Sequence, residues 1–213
     1  MILLWMVKKM VNYENLLSYA TQIKDKGFEI SEGDKILFKR NNSIYELGLD
    51  YDIKSSQIKE ISHSSNILAK VLANSNYNSI ILCRPTYVGQ IIDTGRTMPT
   101  VIDDYSMIGG YKTKIVDNNY NSIVKAVKFG GSCMLKNSNR HNDGKAICCG
   151  FTLYEAFTCL SIMEKNAEIV VKSVALGGAK SINPLIGIME RRNYKKYYSA
   201  NERKSQNEIE GRA

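Results

Sequence analysis

The sequence predicts an α/β domain in which helices cover both sides of a mixed sheet, and three observations carry that prediction. Ile80-Ile81-Leu82, within residues 78 to 88 and stopping at Cys83-Arg84-Pro85, form an apolar run without alternation, which is how a strand buried on both faces reads. Residues 152 to 155, Thr-Leu-Tyr-Glu, have capping-box spacing. They open an apolar stripe of Ala156, Leu160, Met163, Ala167, Val170 and Val174 that stops at Gly177-Gly178. Strand-like and helical segments alternate without a strict βαβ rhythm, so a mixed sheet is expected in place of a parallel one.

The elements follow in order. Residues 12 to 26 carry apolar positions at helical spacing and end at Gly27; strand-like pieces follow around Phe28 to Ile30 and Lys35 to Phe38. A hairpin is expected through Arg40-Asn41-Asn42-Ser43. Ile67, Leu68, Val71 and Leu72 make one helical stripe leading into the buried strand, where Pro85 cannot donate to a ladder and should end pairing. Residues 101 to 116 read as a helical turn broken at Gly109-Gly110 and then a strand. Residues 121 to 128 read as a helix stopped by Gly130-Gly131. Strands at 132 to 136 and 145 to 150 flank the polar loop 137 to 144, and Asn183-Pro184 opens a last helix.

With 213 residues, 44% of them hydrophobic, and no linker-like stretch, one domain over residues 12–200 is expected, between a 1–11 extension and a polar 201–213 tail. The tail contains Ile209-Glu210-Gly211-Arg212, which resembles the recognition sequence of a processing protease. The opening apolar residues 1 to 7 are about a third of the ~20 needed to span a membrane. Lys8-Lys9 follow them instead of preceding them, so neither a span nor an export signal is expected. Five cysteines without CxxC spacing fit reduced, buried thiols and a cytoplasmic location; Cys148 and Cys149 should point to opposite faces of a strand.

A net charge of +8 raises nucleic acid or an anionic ligand as partners. The basic excess is densest at 189 to 199, where helical spacing would put Arg191, Arg192, Lys195 and Lys196 on one side and Tyr194, Tyr197 and Tyr198 on another. Cations near a helix C-terminus complement its dipole, and tyrosines pack a helix down. That structural use is the expected one, and weak nucleic-acid binding is the third-ranked function.

Residues 98 to 116 (MPTVIDDYSMIGGYKTKIV), a helix, a strand and then residues 146 to 178 resemble, in order and spacing, the C-terminal half of the class II aldolase/adducin family. The shared details are Asp103-Asp104 before an apolar-Gly-Gly turn, Gly150 ahead of the capped helix with Glu155-Ala156, and Glu164-Lys165 midway along it. Upstream, residues 39 to 45 stand where the family carries Thr-Pro-Ser-Gly-x-x-Tyr. The resemblance covers roughly residues 12 to 200. It implies a three-layer α/β/α sandwich with a mixed, largely antiparallel sheet, usually in a fourfold-symmetric assembly.

It also implies a site. In the family's enzymes zinc binds the enediolate of a sugar phosphate, a glutamate moves protons and a polar loop holds the phosphate. The His-x-His ligand pair falls at Cys83 and Pro85, the third histidine at Gly144 or Asp143, and the glutamate of Ser-Ser-Glu at Ser64 within Ser62-His63-Ser64. The Gly-Asn-x-Ser phosphate segment has no counterpart near residues 30 to 34. Proline and glycine offer zinc no donor, so no metal ligand and no catalytic residue is expected.

The expectation is a non-catalytic or altered relative that binds a ligand or assembles with itself, with adducin-type heads as precedent and a homotetramer as the assembly. An anionic small molecule would meet Lys39, Arg40, Ser62, Ser64, Cys83, Arg84 and Asp143. The alternative is a zinc-dependent sugar-phosphate or carbonyl lyase with a site rebuilt from Cys83 and His141 or completed by a neighbouring chain.

Overall fold

A computed structural model describes residues 16–28, 30–40, 43–49, 58–138 and 143–198. The expected N-terminal extension and tail, the Asn41-Asn42 turn and His141 lie outside the described residues. The chain runs through α1 (16–25), β1 (Lys35–Arg40), β2 (Ser43–Gly48), β3 (Lys59–Ile61), α2 (Ile67–Ala73) and β4 (Ser79–Cys83). It continues with α3 (Thr86–Asp93), β5 (Met98–Pro99), α4 (Asp103–Gly109), β6 (Lys112–Thr113), β7 (Ile115–Val116) and α5 (Tyr120–Gly130). The last elements are β8 (Ser132–Leu135), β9 (Ala146–Gly150), α6 (Leu153–Ser173) and α7 (Pro184–Asn193).

Among the described residues seven strands form one sheet in the order β3-β2-β1-β4-β9-β8-β7, and β5 pairs with β6 in a separate ribbon. Among the described residues only the β7–β8 junction is parallel. Strand β4 lies mid-sheet between β1 and β9, with every residue buried. One face of the sheet, carrying Ile36, Ile81, Cys83 and Cys148, packs against apolar residues of α1, α3, α4 and α6. The other, carrying Leu37, Ile80, Leu82 and Cys149, packs against α2 and α5. The result is the expected three-layer sandwich, with Cys148 and Cys149 on opposite sides because alternate strand residues face opposite ways. All five cysteines are buried and free. Among the described residues no helix is long and apolar enough to cross a membrane.

Local chemistry sets the boundaries. Asn66 caps α2 by accepting from the Ala69 amide at 2.8 Å, and Asn119 caps α5 by accepting from Ser122 at 3.0 Å. Gly131 ends α5 in the left-handed region, with φ 75°, where a side chain would be strained. Thr152 accepts from the Glu155 amide at 2.9 Å, while the Glu155 carboxylate reaches one residue past the cap to the Phe151 amide at 2.7 Å.

Four sequence expectations are corrected. Phe28 and Ile30 are not in a strand; they pack against the core from an irregular segment. Helix α3, whose Val88, Ile91 and Ile92 are buried at helical spacing, was not expected after Pro85. Helix α6 ends at Ser173, and Val174, in a short 3-10 turn, is 70% exposed and outside the core. The basic cluster does not share one side: Arg191 is buried and donates to the Met107 carbonyl at 2.9 Å, Lys195 donates to the Lys128 and Phe129 carbonyls, and Arg192 and Lys196 face outward. The two inward cations thus sit at the C-terminal ends of α4 and α5, neighbouring helices, and dock α7 there.

The ends of α4 and α5 also touch through glycine: a Cβ on Gly130 would fall 2.4 Å from the Gly109 carbonyl oxygen. Gly130→Ala is therefore expected to destabilise by about 1–3 kcal/mol through overpacking against backbone. Urea denaturation measures it, and an unchanged midpoint would count against the close approach.

Candidate functional site

The end of β4 gathers side chains from four elements. Lys35 is opposite Leu82 and Ala146 is opposite Cys83, so the antiparallel register brings Asp34 and Lys145 to the flanks of Cys83. Pro85 leaves the ladder and becomes the N-cap of α3, where it offers no side-chain acceptor for the exposed amides. Glu164, from the middle of α6, supplies it instead: its carboxylate accepts from the Tyr87 amide at 2.8 Å and the Val88 amide at 2.9 Å.

Every charge here has an internal partner. Lys145 donates to the buried Asp34 carboxylate, to Ser31 Oγ at 2.9 Å and to the Glu32 carbonyl at 2.6 Å. Asp34 also accepts from the Ser31 amide at 2.8 Å, which ties the segment before β1 to the start of β9. Arg84 holds Asp93 through one nitrogen, at 2.8 and 2.7 Å to the two oxygens, and donates to the Gly144 carbonyl at 2.8 Å. Asn137 bonds Asp93 at 2.8 Å and accepts from the Gly144 amide at 2.6 Å, pinning both described ends of the 137–144 loop. Burial, and then the Asp34 charge, hold the Cys83 thiol well above its ordinary pKa, partly opposed by Lys145. It is a neutral thiol at physiological pH, poor as a nucleophile and as a metal ligand.

The residues expected to meet an anionic ligand do not converge. Lys39 stands at the far end of β1, one residue beyond the Phe38–Ser79 pair, and donates to the Leu72 and Ser75 carbonyls at 3.2 and 3.1 Å. Burial lowers its pKa, and its ammonium completes the C-terminal end of α2. Arg40 ends the same strand, opposite Ser43. Ser62 and Ser64 close an exposed turn on each other, Oγ to Oγ 3.1 Å, just before α2. Asp143 accepts from the Ser138 amide at 2.7 Å and from its hydroxyl. Cys83, Arg84 and Asp143 share the β4 end, whereas Lys39 and Arg40 lie at the opposite end of the sheet.

Asp34, Lys145 and the capping role of Glu164 were missed from sequence. The register of three strands brings them together, and the only sequence signal was a proline that leaves helix amides without a cap. A cleft of about 360 Å³ opens beside this end, lined by Gly33, Lys35, Asn66, Leu82, Asn118 and Leu135 among others. Lys35 there is paired with Glu46 at 2.8 Å.

The zinc that the resemblance implies does not fit these residues. Pro85 has no donor atom, the Cys83 thiol is held neutral, and Asp34 and Glu164 are engaged by Lys145 and by backbone amides. A side chain at 144 would strike Asn137 Oδ1 at 2.4 Å, Ile92 at 2.5 Å and the Leu135 carbonyl at 2.7 Å, so a histidine cannot replace Gly144 without moving the loop. Among the described residues no three of His, Cys, Asp and Glu converge on one point.

Lys145→Met leaves Asp34 buried without its cation and is expected to cost about 3–5 kcal/mol, and adding Asp34→Asn should restore part of the loss. Thermal unfolding of the two variants checks this. A single variant as stable as the parent would mean the pair is not buried as described.

No family model matches the chain, and no curated protein matches it. Solved structures do. An L-fuculose 1-phosphate aldolase superposes with a TM-score of 0.69 at 12% identity, over 85% of this chain and 95% of that one. The L-fuculose 1-phosphate aldolase from Glaciozyma antarctica PI12 gives 0.65 at 13% identity, over 93% and 89%. The l-fuculose-1-phosphate aldolase from Thermus Thermophilus gives 0.62 at 12%, over 79% and 97%. Identity this low speaks for the fold alone, and it speaks for it along nearly the whole length of each partner: the chain has the class II aldolase-like fold.

Proposed function

We propose that this chain keeps the class II aldolase-like scaffold without zinc-dependent aldolase chemistry, and acts by binding or self-assembly in a reducing, cytoplasmic setting. The observation that carries the reading is the self-neutralised end of β4. Where the resemblance implies metal ligands, Lys145 pairs with Asp34, Arg84 pairs with Asp93, and Cys83 is buried as a thiol. Fold and function separate at such a point, since the scaffold's packing does not require the reacting groups.

Self-assembly draws support from a second feature. Leu176, Leu185 and Met189, around the α6–α7 junction and the outer face of α7, are 89, 71 and 64% exposed, and Val174 and Ile186 are exposed beside them in sequence. Clustered aliphatic surface of this kind favours a protein partner, and a homo-oligomer, a tetramer by resemblance, covers it most economically.

Two measurements test the proposal. Metal analysis after dialysis, with an assay of L-fuculose 1-phosphate cleavage in added zinc, is expected to give neither bound zinc nor turnover. About one zinc per chain, or chelator-sensitive cleavage above background, overturns the non-catalytic reading and restores the rebuilt or shared site. Light scattering at micromolar concentration is expected to show an oligomer that Leu185→Asp with Met189→Asp dissociates. A stable monomer of about 24 kDa across salt rejects self-assembly.

A further inference from the structure

A second surface, distant in sequence but continuous in space, joins the end of α5 to the end of the described chain. Lys195 Nζ lies 3.1 Å from the Lys128 carbonyl and 3.4 Å from that of Phe129. The Phe129 ring packs edge-on against Tyr111 with centroids 5.5 Å apart, and Lys112 lies over Tyr111 at 5.2 Å. Lys196 covers one side of the Tyr197 ring at 5.0 Å. Lys112, Lys128 and Lys196 are exposed, and so are the Phe129 and Tyr197 rings, at 46 and 55%.

The two helical segments that carry this surface are rich in cations. Neither residues 120–130 nor residues 191–198 contain a single Asp or Glu. Glu190, next to Arg191 in the chain, turns to Ser106 of α4, and Glu155 is buried. The inward pair, Arg191 and Lys195, has the structural use expected of it at helix ends. The outward cations, with Arg192 among them, have no such use in the fold.

We infer that this basic and aromatic surface binds single-stranded nucleic acid, its lysines meeting phosphates and the rings of Phe129 and Tyr197 meeting unpaired bases. Charge complementarity asks for a polyanion, and exposed rings between cations ask for one with accessible planar groups. A duplex keeps its bases stacked inside and offers the rings nothing. A membrane surface would instead draw on the aliphatic Leu185, Ile186 and Met189 of α7, which neighbour Arg192 and, through Gly187 and Tyr111, Lys112, and it would not need the Tyr197 ring at the end of the described chain. The inference uses none of the residues at the β4 end and holds whether or not that end retains chemistry.

The test uses the full chain and a labelled oligothymidylate of about 16 nucleotides, followed by fluorescence anisotropy across a salt series. Micromolar binding is expected at low salt, weakening as salt rises. Lys112→Glu, Lys128→Glu, Arg192→Glu and Lys196→Glu combined should weaken it at least tenfold and flatten the salt slope by about 0.7 per lost phosphate contact. All four side chains are exposed, and an unchanged circular dichroism melt confirms folding. Tyr197→Ala should weaken binding about fivefold with the salt slope unchanged. Absence of binding at low salt, or binding indifferent to the charge reversals, overturns the inference. Equal affinity for duplex of the same length, or tighter binding to vesicles containing phosphatidylserine, also overturns it, in favour of simple charge attraction or a membrane surface.

Discussion

Burial of β4 on both faces is the constraint from which the rest of the structure follows. A strand whose five residues are all buried needs a helical layer above and below and a paired strand on either side. β1 and β9 supply the pairing, and the two helical layers supply the cover. The proline at residue 85 then converts the strand end into a helix start within two residues. That short turn aims the unpaired amides of α3 at the same place where β1 and β9 deliver Asp34 and Lys145, which is why Glu164 must reach across from α6.

Concentrating charge at a poorly solvated strand end is costly unless each group is paired. The chain meets this with its own cations: Lys145 for Asp34 and Arg84 for Asp93, with backbone amides for Glu164. A metal ion would be one way to neutralise carboxylates at such a site, and internal ion pairs are another. The second solution consumes the donors that the first would need. It also fastens the segment before β1 and the described ends of the 137–144 loop to the sheet, so these residues contribute to the stability of the fold.

The last helix shows a similar division of labour within one basic segment. Arg191 and Lys195 complete the carbonyl ends of α4 and α5, and burial, with the Arg191 charge beside it, lowers the Lys195 pKa to about 8. Their neighbours one position along the chain face water. Docking by the inner pair therefore fixes where the outer cations and tyrosines are displayed, next to Phe129 and Lys128 of a helix that ends more than sixty residues earlier in the chain. The aliphatic residues of the α6–α7 junction are presented at the other end of the same helix.

Sequence alone determined the elements with strong local signals. The unalternating run at 80 to 82, the Thr152 cap, the glycines at 110 and 131, and Asn183-Pro184 all act within a few residues of themselves, and the structure keeps them. The order of these elements was enough to suggest the three-layer fold through its resemblance. Local patterns were weakest where a tertiary partner replaced the usual signal. α3 has no capping side chain of its own because Glu164 supplies the carboxylate from 77 residues away. Lys39 and Cys83 are grouped by a site-by-site reading, yet β1 and β4 run antiparallel, and that pairing sends them to opposite ends of the sheet. Only the tertiary structure decided which charges meet, because an ion pair such as Asp34–Lys145 depends on strand register across 111 residues, and no spacing within the sequence encodes it.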